Sequence, residues 1–173
     1  MSLKSLTRQF GMSLGLAVML FTTPVSAEML AAPSGDAILT VSGKVTVTNQ
    51  GETAVLDRAM LEAMPQVSFK TKTIWTEGEI EFTGILLSDL LRRLEIENGT
   101  LKATAINDYA VDIPVADALQ EPAIIAYLIN GKPMSVREKG PLWIVYPYDS
   151  DKKFQAEVYY SRSIWQLDRI VVE

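Results

Sequence analysis

The sequence predicts an α+β domain, mixed and predominantly β in its core, with short helices. Three observations predict it. Short runs alternate apolar with polar residues along most of the chain. Turn residues divide them at Asn49-Gln50-Gly51, Asn107-Asp108 and Asn130-Gly131-Lys132-Pro133. Helical spacing of apolar residues is confined to brief stretches such as Leu87, Leu90, Leu91 and Leu94.

The elements follow in order. Lys4 and Arg8 precede a short apolar run from Gly11 to Phe21, and Val25-Ser26-Ala27 offers small residues to a signal peptidase. Residues 1–27 therefore read as a cleavable secretory signal, too short and wrongly flanked for a membrane anchor. Cleavage after Ala27 implies a periplasmic protein that is not itself membrane-embedded. Residues 28–36, without periodicity, read as a flexible lead-in to one domain spanning 37–173. Strand signals start at Ala37, and Val45 and Val47 alternate with Thr46 and Thr48. Leu56, Met60 and Met64 recur at helical spacing, with Asp57 near the start and Pro65 as the stop. Val67 to Trp75 and Glu79 to Thr83 read as strands, followed by Gly84 and a leucine-rich helix that ends at Asn98-Gly99. Leu101 to Ile106 and Tyr109 to Ile113 form the next two strands, and Pro114 opens a short helix. AIIAYLI is a buried strand; PLWIVYPY, AEVYYSRSIW and QLDRIVV complete the sheet-forming segments.

Composition narrows the chemistry. Lys4 and Arg8 are the leader's only charges, so 16 basic residues fall to 14 against 21 acidic ones, and the net charge moves from −5 to −7. An acidic surface argues against nucleic acid as a partner. The chain has neither Cys nor His. That excludes Cys/His zinc sites, Ser-His-Asp triads, Cys-His dyads and His-ligated haem. Carboxylate, hydroxyl, Lys or Tyr chemistry remains, as does binding without catalysis.

Three segments gather polar, aromatic and charged groups where strands end, positions that suit display of binding residues. They are Thr71 to Glu77, Asn107 to Tyr109, and Tyr160 to Trp165. Each has an ordinary reading too: Trp75 and Trp165 as packing residues, Asn107-Asp108 as turn chemistry, Arg162 as a surface charge. Glu77, Glu79 and Glu81 alternate on one strand face, where solvation is the simplest account. GKPMSVREKGP lacks the spacing of a phosphate loop and reads as a surface loop or pocket rim.

The order of segments resembles the molybdopterin-binding domain of the sulfite oxidase family, from about Ala37 to Val172. The likeness is carried by WTEG…FTGILLSDLL, NDYAVDIP, AYLINGKPM…GPLWIVYP and SRSIWQLDRI. The resemblance implies a Cys thiolate on molybdenum near Thr71 to Thr73, yet the chain has no thiol, and a hydroxyl does not replace a soft thiolate. It also implies a phosphate-holding Lys in a run matching Ser163-Ile164-Trp165-Gln166, where an indole stands instead. A site so altered is similar to that of small periplasmic pterin-binding regulators, which act with inner-membrane sensor proteins, often enzymes that make or degrade cyclic di-GMP. The resemblance thus implies a non-catalytic protein with a metal-free pterin as ligand, and through it a signalling partner contacted by that partner's periplasmic domain. The alternative is a molybdopterin-dependent oxidoreductase lacking the Cys metal ligand. For a pterin, Trp75, Trp165 and Tyr109 are expected to supply faces. Asp108, with Glu138 second, is expected to accept paired N–H bonds, and Arg162, Ser163 and Thr73 to bond the ring carbonyl or side chain.

Overall fold

The computed structural model describes residues 30–173; the expected signal segment lies outside the described residues. The strands are β1 (Ala37–Gly43), β2 (Ala54–Asp57), β3 (Gln66–Lys72), β4 (Glu79–Leu86), β5 (Thr100–Ala105), β6 (Ala110–Pro114), β7 (Ile124–Ile129), β8 (Lys132–Pro133), β9 (Trp143–Val145), β10 (Ile164–Trp165) and β11 (Leu167–Val172). The α-helices are α1 (Arg58–Glu62), α2 (Leu87–Arg93), α3 (Val115–Gln120) and α4 (Glu157–Ser161).

Two sheets share the work. A five-stranded sheet runs β2-β1-β11-β5-β6, with β1 and β11 parallel and the other pairs antiparallel. A six-stranded antiparallel sheet runs β10-β9-β7-β4-β3, with β8 hairpinned onto β7. The apolar β7 run has β4 on one side and β9 on the other, and Ile124 to Tyr127 are all buried. Burial on both faces is why that strand shows no alternation. Gly84 is required where β4 meets β7, because a Cβ there would lie 2.0 Å from the Ile125 carbonyl oxygen. Leu87, Leu90 and Leu91 of α2 join Val115 and Ala118 of α3 in the core. Among the described residues no helix is long and apolar enough to cross a membrane.

The expected α+β architecture is the one observed, and three local departures have identifiable causes. Val45 to Thr48 does not form a strand: Gly43 adopts φ +86°, and the Val45 N–H closes a tight turn on the Gly43 carbonyl at 2.8 Å. Ala54 to Asp57 pairs with β1 instead, so Leu56 is a strand residue and the helix begins after it. Residues 157–161 are helical rather than extended. Tyr159 and Tyr160, adjacent in sequence, both pack inward: Tyr159 against Tyr146 and Phe154, Tyr160 against Tyr148 and Trp75. A strand would have sent them to opposite faces.

Asp57 fastens the start of the domain. One carboxylate oxygen caps α1 by accepting the Met60 N–H at 2.8 Å, and the other accepts the Ser34 and Gly35 N–H groups at 2.6 and 2.8 Å. The segment read as a lead-in also places Leu30 in the core and gives the Ala31 carbonyl to the Asn49 amide at 2.7 Å. Those bonds, led by the Met60 and Gly35 N–H groups, lower the Asp57 pKa from 3.8 to about 2, against the opposing effect of burial. A depressed carboxylate pKa gives stability that is fully present above the unfolded value and lost as pH falls through the folded one. Asp57→Asn is therefore expected to be less stable than the parent at neutral pH. The difference should shrink as pH drops from 3.8 towards about 2, as followed by urea unfolding across that window.

Candidate functional site: an aromatic-walled cleft

Three segments converge on one end of the six-stranded sheet. β9 and β10 pair in a register that sets Trp143 directly across from Trp165. Cross-strand partners share a face, and the two indoles meet edge-on at 5.9 Å between centroids. Trp75 arrives from the loop between β3 and β4. Strand β3 ends at Lys72, two residues before Ile74, because the Thr73 hydroxyl accepts the Trp75 N–H at 3.1 Å and bonds the Thr76 hydroxyl at 2.8 Å. That local turn swings Trp75 over the sheet, 5.5 Å from Trp165 and 6.1 Å from Trp143. Tyr160, at the end of α4, stands edge-on to Trp75 at 5.8 Å and stacks on Tyr148 at 4.8 Å.

The β5–β6 turn supplies the facing wall. Asp108 takes a left-handed conformation, φ +65°, and its N–H returns to the Ala105 carbonyl at 2.9 Å. The Asn107 side-chain oxygen accepts the Tyr109 N–H at 3.2 Å, which leaves its amide N–H groups for a ligand. The Ile106 N–H bonds the Gln166 carbonyl at 2.9 Å and ties this turn to the end of β10. Between the walls lies a cleft of about 310 Å³, lined by Trp75, Tyr160, Trp165 and Ile164 on one side and by Ala105, Asn107 and Tyr109 on the other, with Ser163 between. Trp75 and Trp165 are half-buried: both pack against the hydrophobic core and also line the cleft.

The structure brings Trp75, Tyr109, Ser163 and Trp165 together around this cleft, with Thr73 behind Trp75 as its turn residue. Other expected residues are engaged elsewhere. The Asp108 carboxylate is 84 % exposed and paired with Arg169. Arg162 pairs with Asp117 at 2.8 Å. Glu138 accepts the Ser135 hydroxyl at 2.9 Å and lines a different concavity, beside the β7–β8 hairpin with Met134 and Asn130. Asn107, Tyr160 and Lys139 were legible only as members of their segments, Lys139 within the loop read as a pocket rim. Lys139 sits at φ +74° after a short 3-10 turn, and its ammonium lies 4.5 Å from the Trp165 ring centre. The cleft lining itself carries no charged side chain. Beneath it, burial pushes the Tyr148 phenol well above its ordinary pKa of 10.

Residues 37–150 match the oxidoreductase molybdopterin binding domain. The chain belongs to that family. No curated protein matches it. The matched span holds Trp75, the Asn107–Tyr109 turn, Lys139, Trp143 and Tyr148, whereas Tyr160 to Trp165 lie beyond it.

The group this family binds combines a pterin ring with a metal-binding dithiolene and a phosphate. The residues here offer faces for the ring and no thiol for the metal. No thiol or imidazole occurs in the chain, and among the described residues no group of His, Cys, Asp and Glu is assembled to hold a metal. The hydroxyls near the expected thiol position are taken up by the protein: the buried Thr71 accepts the Asp149 N–H at 3.1 Å, and Thr73 holds Trp75. A flat heteroaromatic, by contrast, meets stacking faces and a primary amide. Because the Asp108–Arg169 pair is exposed, Asp108→Asn, which removes the charge and still tolerates the left-handed backbone, should change the unfolding free energy by less than about 1 kcal/mol in urea titrations.

Proposed function

We propose that this protein binds a metal-free pterin in the Trp75–Trp165 cleft, without catalysis, in the periplasm. We further infer that it relays ligand status to an inner-membrane signalling protein, of the kind that makes or degrades cyclic di-GMP. The observation that carries this reading is the aromatic wall: two indoles and two phenols surround a neutral cleft in a molybdopterin-binding domain that has no thiol. A pterin is a flat ring with an amino-pyrimidinone edge, so indole faces bind its plane, and the Asn107 amide offers N–H donors to its carbonyl. Relay follows from linkage. A partner that binds the loaded protein more tightly than the empty one strengthens pterin binding by the same factor.

Family membership favours a second reading, a molybdopterin-dependent oxidoreductase whose metal is held without protein sulfur. Two measurements separate the readings. Protein isolated from its native compartment should release a blue-fluorescent pterin on denaturation and contain no stoichiometric molybdenum; molybdenum at one equivalent would establish the oxidoreductase instead. In fluorescence-quenching titrations, Trp75→Ala and Trp165→Ala should each weaken pterin binding about fivefold or more, since stacking of a heteroaromatic base on an aromatic side chain is worth roughly 1–3 kcal/mol. Unchanged affinity in both variants would remove the site.

A further inference from the structure

We propose that Ser163 is a positioning residue for the aromatic wall, acting through Tyr148 rather than by direct bonding to the ligand; this rests on the pterin reading of the cleft. Ser163 is buried, 4 % exposed, and its hydroxyl carries a single proton. That proton goes to the Tyr159 carbonyl at 2.8 Å, an atom that only accepts. The second bond of the Ser163 oxygen, to the Tyr148 hydroxyl, therefore has the phenol as donor. The resulting relay runs from Tyr148 through Ser163 to the backbone of α4, in the turn that ends at Ser161.

Each member has a structural consequence. The Tyr159 carbonyl lies in the last turn of α4, where carbonyls lack intrahelical partners, and Ser163 satisfies it from four residues downstream. Tyr148, fully buried, is held at its polar end by Ser163 while its ring stacks on Tyr160 and meets Trp75 edge-on at 6.1 Å. Ser163 also directly precedes β10, whose Trp165 forms the opposite face. One hydroxyl thus ties together the supports of Tyr160, Trp75 and Trp165. With its proton committed, Ser163 has no donor left for a ring carbonyl.

The test uses Ser163→Ala, Tyr148→Phe, the double variant and Ser163→Thr, which keeps the hydroxyl. Near-ultraviolet circular dichroism of ligand-free protein reads the packing of the wall, and tryptophan quenching by oxidised, unsubstituted pterin reads affinity. Ser163→Ala and Tyr148→Phe should each diminish the near-ultraviolet bands and raise the pterin Kd about fivefold to tenfold, the range of one net hydrogen bond. The double variant should be no worse than the more affected single one, and Ser163→Thr should stay close to the parent. Losses that multiply in the double variant would show that Ser163 contacts pterin separately, and an unchanged spectrum in Ser163→Ala would show that the wall does not depend on it. Either result overturns the proposal. Failure of the parent protein to bind pterin sinks the reading of the cleft instead. The spectra, with a double-mutant cycle in urea unfolding, still decide the role of Ser163.

Discussion

The two-residue pairing of β10 with β9 is the contact on which the candidate site rests, for it fixes Trp165 opposite Trp143. Trp143 is fully buried and packs edge-on against Phe82 of β4 at 5.2 Å, so it is anchored in the centre of the sheet. Trp165 inherits that rigidity and remains half-buried above it. Trp75 then leans on both indoles from a loop, and Tyr160 leans on Trp75 from a one-turn helix. Neither the loop nor the helix is long enough to hold an aromatic in place by itself. The wall is therefore a stack of dependencies that runs from sheet to strand end to loop.

Much of the fold was readable because its periodicities are strong. The leucine-rich helix, the paired strands around Asn107-Asp108 and the buried β7 run all follow from patterns confined to their own segments. The departures sit where tertiary contacts override those patterns. AEVYYSRSIW has the composition of a strand, yet Tyr159 and Tyr160 each find aromatic partners only if the backbone coils. Trp75 continues an alternating pattern past Lys72, but the Thr73 hydroxyl captures its N–H and ends the strand.

The site was legible in the same uneven way. Its aromatic faces were visible in the sequence because large rings at strand ends are conspicuous. Its charges were not, because an ion pair depends on which distant segment lies alongside. Arg162 finds Asp117 across forty-four intervening positions, and Asp108 finds Arg169 on β11, so neither charge is aimed into the cleft. Asn107 shows the converse. Its turn role and its place on the cleft wall are compatible, since the turn uses the side-chain oxygen and leaves the nitrogen.

A neutral wall has consequences for how a ligand is held. A thiolate–metal bond together with a phosphate clamp retains a cofactor almost permanently, which suits an enzyme. Stacking and neutral hydrogen bonds are individually small, and ordering losses offset part of their sum, so a ring held by them alone is bound less tightly than one fixed by a metal bond and a phosphate clamp. Such a ring exchanges with its surroundings. Exchange is what a protein needs if its occupancy is to follow ligand concentration, because a site that never empties carries no information to a partner. For the proposed pterin-binding role, the missing thiol and the indole at Trp165 are the two features that suit reversible recognition of a ring.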